Sequence, residues 1–278
     1  MANNTTALNS ELFVPLLAAA NYQAFESSIA RQITTVYDVP MNSGKQVQVP
    51  VWSSIAADLI TDESAASFKD TDTNSQTITL VEHVVAHRIT DMLQGSAQGN
   101  VLSQLGEQSG RAIAESVDSL LFSKFASLSE GAGGAGVELT VDYILKAAAT
   151  LRSRKLVGPF YAVVNPLQAY QLKKELSITS GASALSNLGN QILTAGYIGT
   201  IAGVQIFESG LITVDGSGDA VGAIFAPSAF GLASRGTIGL ETQRQAAARA
   251  TDLVLTAQAG AQIIMPTHGL KLTADASI

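Results

Sequence analysis

A helical pattern at residues 91–129, the longest in the sequence, constrains the fold more than any other feature. Apolar side chains recur there at helical spacing, namely Leu102, Leu105, Ile113, Val117, Leu120, Leu121, Phe125 and Leu128. A helix of about 30 residues would span about 45 Å, which is longer than most helices of single-domain proteins. The rest of the chain must therefore pack along one long spine.

The same pattern contains glycines in pairs four residues apart, Gly95 with Gly99 and Gly106 with Gly110. Each glycine lowers helix propensity by about 1 kcal/mol relative to alanine. Paired glycines also let another backbone approach closely. We therefore expect tight packing against a second element, which would offset the lost propensity.

The N-terminal part of the chain predicts one helix followed by a β-hairpin. Residues 11–31 have an amphipathic helical pattern, with Ser10 as the N-cap and Pro15 in the first turn. Residues 33–40 and 45–52 alternate between apolar and polar side chains on either side of turn residues, a pattern typical of a hairpin.

An acidic, polar segment at residues 53–75 then leads into another alternating run at 76–90. The simplest interpretation is a long two-stranded arm with a polar tip. Since a lone two-stranded ribbon is marginally stable in water, we expect the arm to lie on a neighbouring subunit. Trp52 is predicted to pack at the root of this ribbon.

The remainder of the chain mixes helices with short strands. The glycine-rich segment 130–138 predicts a linker at a domain boundary. Thr140 and Asn165 are predicted to cap two helices, the second of which begins at Pro166. Strands are predicted at 160–164, 203–208, 211–214, 220–226, 237–243, 251–257, 261–265 and 270–274. Interleaved strands and helices, with long antiparallel elements late in the chain, predict the α+β class.

The composition favours an obligate oligomer. Of the 278 residues, 46% are hydrophobic and 14% are charged, against a usual charged share of about 25%. So few charges leave less polar surface than a soluble monomer normally has, and a large subunit interface is the commonest cover for the difference.

The charge balance and the missing residue types exclude several functions. The net charge is −7, from 16 basic and 23 acidic residues, which argues against sequence-specific nucleic-acid binding. The absence of cysteine excludes disulfides and thiolate metal sites. Neither a signal peptide nor an apolar run of about 18–20 residues is visible, so we expect a soluble chain made in a cytoplasm, with no membrane partner.

Two glycine-containing motifs resemble ligand-binding loops but are better interpreted as structural segments. Residues 131–136, GAGGAG, match the dinucleotide-binding letters but follow a helical pattern instead of a strand, so a linker is the better interpretation. Residues 215–219, DGSGD, vaguely resemble a calcium loop, but Ala226 stands where the loop needs glutamate, so we predict a turn. With no nucleophile elbow or Walker A loop either, we predict no catalytic residue, no cofactor and no metal.

His83 and His87 form the best candidate for enzymatic chemistry. Residues four apart share a face on a helix or on a strand, so two imidazoles could bind zinc together with a carboxylate such as Glu82 or Asp91. The order EHVVAH is not the H-E-x-x-H motif, and no third ligand follows at useful spacing. A polar face of the ribbon is the favoured interpretation, and a zinc hydrolase is the alternative.

Taken in order, these segments resemble the Hong Kong 97-type major capsid protein of tailed bacteriophages. The residues that carry the resemblance are VVNPLQAYQLKKEL at 163–176 and GYIGTIAGVQIFES at 196–209, with GKQVQVPVW at 44–52 and AHRITDML at 86–93 as the two roots of an E-loop. Each motif is weak alone, and their order and spacing along nearly the whole chain carry the weight.

The resemblance implies a division of the chain into an arm, a loop and two domains. The N-terminal arm would be residues 1–30 and the E-loop, a β-ribbon, residues 40–80. A peripheral domain with the long spine helix would comprise 31–39, 81–136 and 233–261. An axial domain with a central sheet would comprise 137–232 and 262–278.

The resemblance also implies the function and the partners. Subunits would form hexamers and pentamers that close into an icosahedral shell around double-stranded DNA, bound without sequence specificity. The protein would be assembled in the host cytoplasm and reside in the virion, with a separate scaffold, a portal and decoration proteins as further partners. Within the same fold, an encapsulin-type nanocompartment shell is the alternative.

The assembly contacts are hypothesised to join an acidic ribbon tip to a basic cluster on a neighbouring subunit. The tip residues are Asp58, Asp62, Glu63, Lys69, Asp70 and Asp72, and the basic cluster is Arg152, Arg154 and Lys155. Some family members cross-link a lysine of the E-loop to a partner asparagine. Lys45, Lys69 and Asn190 stand in comparable segments, but we favour ordinary solvated or ion-paired lysines because no catalytic carboxylate is identifiable.

Overall fold

The computed structural model describes residues 14–52, 55, 57–59, 68–70, 73–96, 101–179 and 199–277, which fold into two large β-sheets flanked by helices and a separate two-stranded sheet. This confirms the α+β class. The helices are α1 (Val14–Ser27), α2 (Ile29–Ile33), α3 (Asp91–Ser96), α4 (Val101–Phe122), α5 (Val141–Ser153) and α6 (Pro166–Thr179). The strands are β1 (Thr35–Asp38), β2 (Gln46–Trp52), β3 (Thr73–Thr79), β4 (Val81–Thr90), β5 (Gly131–Glu138), β6 (Phe160–Val164), β7 (Thr200–Ile201), β8 (Val204–Glu208), β9 (Asp219–Phe225), β10 (Phe230–Gln245), β11 (Ala250–Ile263) and β12 (Gly269–Asp275).

The first lobe, which we call the four-stranded lobe, is a sheet of order β1-β10-β11-β4. The long strands β10 and β11 pair antiparallel, with a bulge between Arg235 and Gly239. One face of the sheet is covered by α1 and α4, whose apolar side chains meet Leu253 and Leu255 of β11 in a common core. The predicted strands 251–257 and 261–265 are therefore a single strand, β11.

The spine helix, α4, packs against α1 at backbone contact distance. A Cβ atom on Gly106 would lie 2.4 Å from the Leu16 carbonyl oxygen, and one on Gly110 would lie 2.3 Å from the Ala20 carbonyl oxygen. The tight packing predicted from the paired glycines is confirmed for Gly106 and Gly110, and α1 is the element that approaches them. Gly99 lies outside the described residues.

The spine is shorter than the sequence pattern suggested. Helix α4 has 22 residues and so spans about 33 Å, with α3 preceding it as a separate helix and Phe125–Ser127 following as a 3-10 turn. The helix ends because the N–H of Lys124 donates to the carbonyl of Leu121, three residues back. That bond tightens the last turn and redirects the chain.

The N-terminal helix is also interrupted, at Ser28. Its hydroxyl donates to Asp118 Oδ1 at 2.7 Å, and the N–H groups of Ile29 and Ala30 donate to the same carboxylate at 2.9 and 3.1 Å. The predicted helix 11–31 is therefore two helices, because a buried carboxylate of the spine caps the second one. The predicted cap Ser10 lies outside the described residues, and Pro15 is in the first turn as expected.

The hairpin predicted from residues 33–40 and 45–52 is wrong. Strand β1 pairs in parallel with β10, whereas β2 pairs antiparallel with β3. Alternation marks both segments as strands, but Val39, directly after β1, is buried beside Ala233 of β10, and Tyr37 is partly buried against the same cluster. Tertiary packing therefore separates the two segments.

The predicted arm exists as the β2–β3 pair, which we call the ribbon. The run 76–90 does not form one strand of the ribbon. Strand β3 ends at Thr79, and after Leu80 the chain continues as β4 in the four-stranded sheet. The ribbon is rooted by Val49 and Ile78, both buried in the lobe core. Trp52 pairs with Thr73 at the opposite end and is 63% exposed, so its predicted place at the root is wrong.

The second lobe, the six-stranded lobe, is a sheet of order β5-β12-β9-β6-β8-β7. Helices α5 and α6 bury their apolar faces against it. The expected strand 211–214 is instead a loop that ends in one bridge, Val214 to Ala220, on either side of the predicted DGSGD turn. There the Asp215 carboxylate accepts the N–H groups of Ser217 and Asp219, which confirms the turn.

The glycine-rich segment is a strand and not a linker, which corrects the sequence prediction. Strand β5 runs parallel to β12 at the edge of the sheet. A Cβ atom on Gly133 would lie 2.2 Å from the Thr273 carbonyl oxygen, and this residue has φ +93°. Glycine at this position lets the backbone of β5 approach β12 closely, so the glycine content of the segment is explained by strand packing and not by a flexible linker.

The two predicted helix caps differ in mechanism. Asn165 Oδ1 accepts the N–H of Leu167 at 2.9 Å, as predicted. Thr140 occupies the N-cap position of α5 but makes no capping bond with its side chain. Instead, the N–H of Val141 donates to Glu175 Oε2 at 2.7 Å, so α6 caps α5.

Four buried phenylalanines join the two lobes. Phe122 and Phe125 come from the end of the spine, Phe225 ends β9 and Phe230 begins β10. Their ring centroids lie between 4.8 and 5.7 Å apart in successive pairs. This cluster is the centre of the largest core and fixes where the spine meets both sheets.

Replacing Gly110 by alanine should destabilise the subunit. The added methyl group would meet the backbone of Ala20, which no rotamer change can relieve. Overpacking of this kind costs about 1–3 kcal/mol, and the gain in helix propensity returns about 1 kcal/mol. The matched control is Gly210→Ala, where a Cβ atom meets nothing within 4 Å. Equal urea midpoints for the two variants would contradict the close packing of α1 and α4.

Candidate assembly surfaces

His83 and His87 lie on one face of β4, turned towards the spine helix. His83 Nδ1 is 2.7 Å from Ser116 Oγ, and His87 Nε2 is 2.8 Å from Ser109 Oγ. Four residues of strand cover about 13 Å and seven residues of helix about 10.5 Å, so both pairs can form at once. The two histidines thus fix the position of the spine helix along strand β4.

The hydrogen bonds also define the tautomer of His87. The Ser109 hydroxyl donates to the carbonyl of Leu105 at 2.6 Å, so His87 must donate its Nε2–H to the hydroxyl oxygen. Within the part of the chain that the structure describes, no three His, Cys, Asp or Glu side chains are grouped to hold a metal ion. The zinc hydrolase alternative therefore has two candidate ligands and no described third one.

Burial lowers the pKa of His83, and a weaker interaction with the backbone of Ala259 opposes the shift. Its Nε2 atom is buried without a hydrogen-bond partner among the described residues. The ring is therefore neutral at pH 7, and a proton on it would place a charge between sheet and helix.

Among the described residues, the large apolar side chains with the highest exposed fractions lie at the outer end of the ribbon. Among the described residues at its outer end, Leu59 and Phe68 are 103% exposed, and Trp52 and Ile55 are more than half exposed. Lys69 Nζ pairs with Asp58 Oδ1 at 2.6 Å beside them. Large apolar side chains left in water on an isolated subunit mark a surface that a partner covers.

The predicted acidic tip is only partly described. Asp58 and Asp70 are exposed, while Asp62, Glu63 and Asp72 lie outside the described residues, as does Asn190. Because Asp58 is paired with Lys69 in the connection between β2 and β3, its charge is partly neutralised before any neighbour approaches. Sequence reasoning missed the apolar side chains between these charges, although their letters were visible in the segment.

The residues of the predicted basic cluster lie at the end of α5, and two of them make contacts within the subunit. Arg152 donates to the carbonyl of Ala202, and Arg154 pairs with Glu130. Lys155 is exposed in the turn after the helix, with φ +62°. Two of the three predicted contact residues are thus engaged within the subunit, and Lys155 is the better candidate for a contact with a neighbour.

Arg235 was not singled out by sequence reasoning, yet it holds the root of the ribbon. From the β10 bulge its guanidinium donates to the carbonyl of Gly44 and to Gln258 Oε1, the latter at 3.2 Å. The only signal in the sequence is an arginine beside Gly236, whose positive φ forms the bulge. This contact ties the connection between β1 and β2 to the sheet.

None of the helices within the described ranges combines the length and the apolar character needed to cross a lipid bilayer.

Comparison with protein families identifies the chain. A family model described as phage capsid protein matches residues 73–271. The chain belongs to the phage capsid protein family. It is a structural subunit of a virion capsid and not an enzyme. No curated protein matches its sequence.

Solved structures with the same fold are numerous and distant in sequence. The Mycobacterium phage Che8 structure is 18% identical, with 83% of this chain and 85% of that chain covered and a TM-score of 0.65. The cyanophage P-SCSP1u capsid is 16% identical over 90% of this chain and 89% of that chain, with a TM-score of 0.68. The virus-like particle from Pyrococcus furiosus is 13% identical, covers 94% and 99% of the two chains, and has a TM-score of 0.61. The capsid protein therefore has the Hong Kong 97-like fold.

The stability of the subunit should fall as the pH drops below about 6.5, the usual pKa of histidine. The pKa of His83 in the folded chain is lower than that value, so the unfolded chain binds the proton first and unfolding becomes more favourable. Urea midpoints from pH 7.5 to 5.5 measure this loss, and His83→Gln, which can still bond Ser116, should reduce it without abolishing it, because the pKa of His268 is lowered as well. His87→Gln should leave the contribution of His83 in place. Identical losses in wild type and His83→Gln would rule out this residue as the cause.

Proposed function

We propose that this major capsid protein assembles as hexamers and pentamers into an icosahedral shell that encloses double-stranded DNA. Family membership supports the capsid role, and the exposed apolar end of the ribbon is the observation that carries self-assembly. The subunit leaves Leu59 and Phe68 in water while the apolar residues at the ribbon root are buried. Assembly with further copies would cover that surface.

The domain division is part of the proposal. The arm is residues 1–30 and the E-loop 40–80. The peripheral domain is 31–39, 81–136 and 233–261, and the axial domain is 137–232 and 262–278. The buried root of the ribbon and the two separate sheets support this division, although β5 extends from one proposed domain into the other.

The acidic composition also bears on the contents of the shell. A net charge of −7 leaves little affinity for phosphates, so DNA would be enclosed without sequence recognition. A scaffold, a portal and decoration proteins are further proposed partners, and the host cytoplasm is the proposed place of assembly.

The function is tested by mass and shape. Light scattering and electron micrographs of the expressed protein should reveal hollow polyhedra of megadalton mass. A monomer or dimer under every salt and scaffold condition would overturn the proposal.

An encapsulin-type shell is the second candidate, because the fold also matches a particle from Pyrococcus furiosus. Nuclease-protected DNA inside particles from infected or induced cells supports the phage role, whereas an enclosed enzyme supports the alternative.

The ribbon end should be needed for assembly but not for folding. Since Leu59 and Phe68 are fully exposed, Leu59→Ser with Phe68→Ser should leave the urea midpoint of the subunit unchanged and reduce the yield of shells at least about tenfold, as expected for losing 1–2 kcal/mol at each contact. Leu145→Ser, which changes a half-exposed leucine on α5, is the matched control. Normal shell yield from the ribbon variant would show that this surface is not the contact.

If Asp70 contacts Lys155 of a neighbouring subunit, exchanging the two charges should restore shell assembly that a single charge reversal impairs. Lys155→Glu should lower shell yield at low salt because it would face acidic residues such as Asp70, and Asp70→Lys in the same chain should restore it. Salt should weaken both effects, since exposed charges are screened. Static light scattering at 20 and 300 mM salt measures the yield. If the double variant is no better than Lys155→Glu alone, these two residues do not meet.

A further inference from the structure

Within the described ranges, the chain passes between the two lobes at three places. Residues 128–130 lead from the spine to β5, Pro227–Ala229 lead from β9 to β10, and Pro266–His268 lead from β11 to β12. Any change in the relative orientation of the lobes must bend the backbone at these crossings. Contacts among the crossings therefore set how freely the lobes can rotate.

The second and third crossings are bonded directly to each other. The N–H of Ala226 donates to the carbonyl of His268 at 3.0 Å, and the N–H of Ile264 donates to the carbonyl of Ala229 at 2.8 Å. The His268 side chain adds a third link, because its Nδ1 atom lies 2.7 Å from Ser228 Oγ. His268 thus contributes both its backbone and its ring to one joint.

Arg154 connects this joint to the first crossing. From the end of α5, its Nη1 donates to the carbonyl of Thr267 at 2.5 Å, and its Nη2 pairs with the Glu130 carboxylate. The backbone of Glu130 in turn accepts the N–H of Lys271 at 2.9 Å. One arginine therefore binds two crossings, and His268 binds the remaining one.

The charges around the imidazole disfavour its protonation. Burial lowers the pKa of His268, and the positive charge of Arg154 lowers it further. Glu130, on the first crossing, is already paired with Arg154, and Ser228 faces the ring as a neutral hydroxyl. A proton on His268 would thus add a second positive charge beside Arg154, with no further carboxylate to balance it among the described contacts of the ring.

We propose that His268, Ser228, Arg154 and Glu130 form a pH-sensitive clasp, which holds the lobes in one orientation while His268 is neutral and loosens when it is protonated. The imidazolium repels Arg154 and is better solvated away from it. The protonated chain therefore favours a state in which Pro266–His268 has moved towards water. Each unit of difference between the pKa of His268 in the two states shifts the balance between them about tenfold.

Hydrogen exchange measured by mass spectrometry tests the clasp in the full chain. Exchange of peptides that span 224–230 and 264–270 is followed from pH 7.5 to 5.0 and corrected for the intrinsic pH dependence of exchange. We expect the corrected exchange to rise on acidification relative to peptides from the middle of β11, which serve as the internal reference. In His268→Gln, whose amide can still bond Ser228, this rise should disappear.

Two further variants keep the test decisive. Arg154→Gln removes the neighbouring cation, so the transition should move to higher pH or the crossings should exchange rapidly throughout. His87→Gln, a histidine replaced elsewhere, should retain the wild-type transition. A flat wild-type profile, or the same transition in His268→Gln, would overturn the proposal. If His268→Gln does not fold, an unmoved transition in Arg154→Gln overturns it equally. The result does not depend on shell formation, because the clasp lies within one subunit.

Discussion

The phenylalanine cluster at the end of the spine helix is the contact on which the rest of the subunit depends. Phe125 is fully buried and touches both Phe225, the last residue of β9, and Phe230, the first residue of β10. Those two rings meet edge to face at 4.8 Å. Aromatic rings bury about 150–250 Å² each and prefer such tilted contacts. Because each sheet supplies one ring and the spine supplies the rest, this one cluster sets the position of both lobes.

The phenylalanine cluster fixes the position of the two lobes, and polar contacts fix their relative orientation. Apolar packing at the cluster is non-directional, whereas the bonds of Arg154 and His268 at the crossings select one arrangement of the lobes. The ribbon is held similarly, with Ile78 buried at its root and Arg235 bonded to the loop beside it. A capsid subunit needs both properties, because a shell closes only if each copy presents its contact surfaces at a defined angle.

The candidate contact surfaces could be predicted only in part. The ribbon was visible as alternating segments around a polar stretch, and the basic cluster at 152–155 was visible as a charge run. Exposure was not visible, so Trp52 was assigned to the root, whereas its side chain lies at the outer end. The engagement of Arg152 and Arg154 within the subunit also required the fold, since Ala202 and Glu130 are distant in sequence.

The sequence by itself determined the elements whose causes are local. The helical spacing of apolar residues predicted the spine, Asn165 and Pro166 predicted the start of α6, and the composition predicted a subunit that buries surface by association. Tertiary structure alone decided which strands pair, because alternation of period two marks a strand without naming its partner. It placed β1 beside β10 instead of β2, and it paired the glycine-rich segment with β12 as a strand, where the backbone at Gly133 lies too close to Thr273 for a side chain.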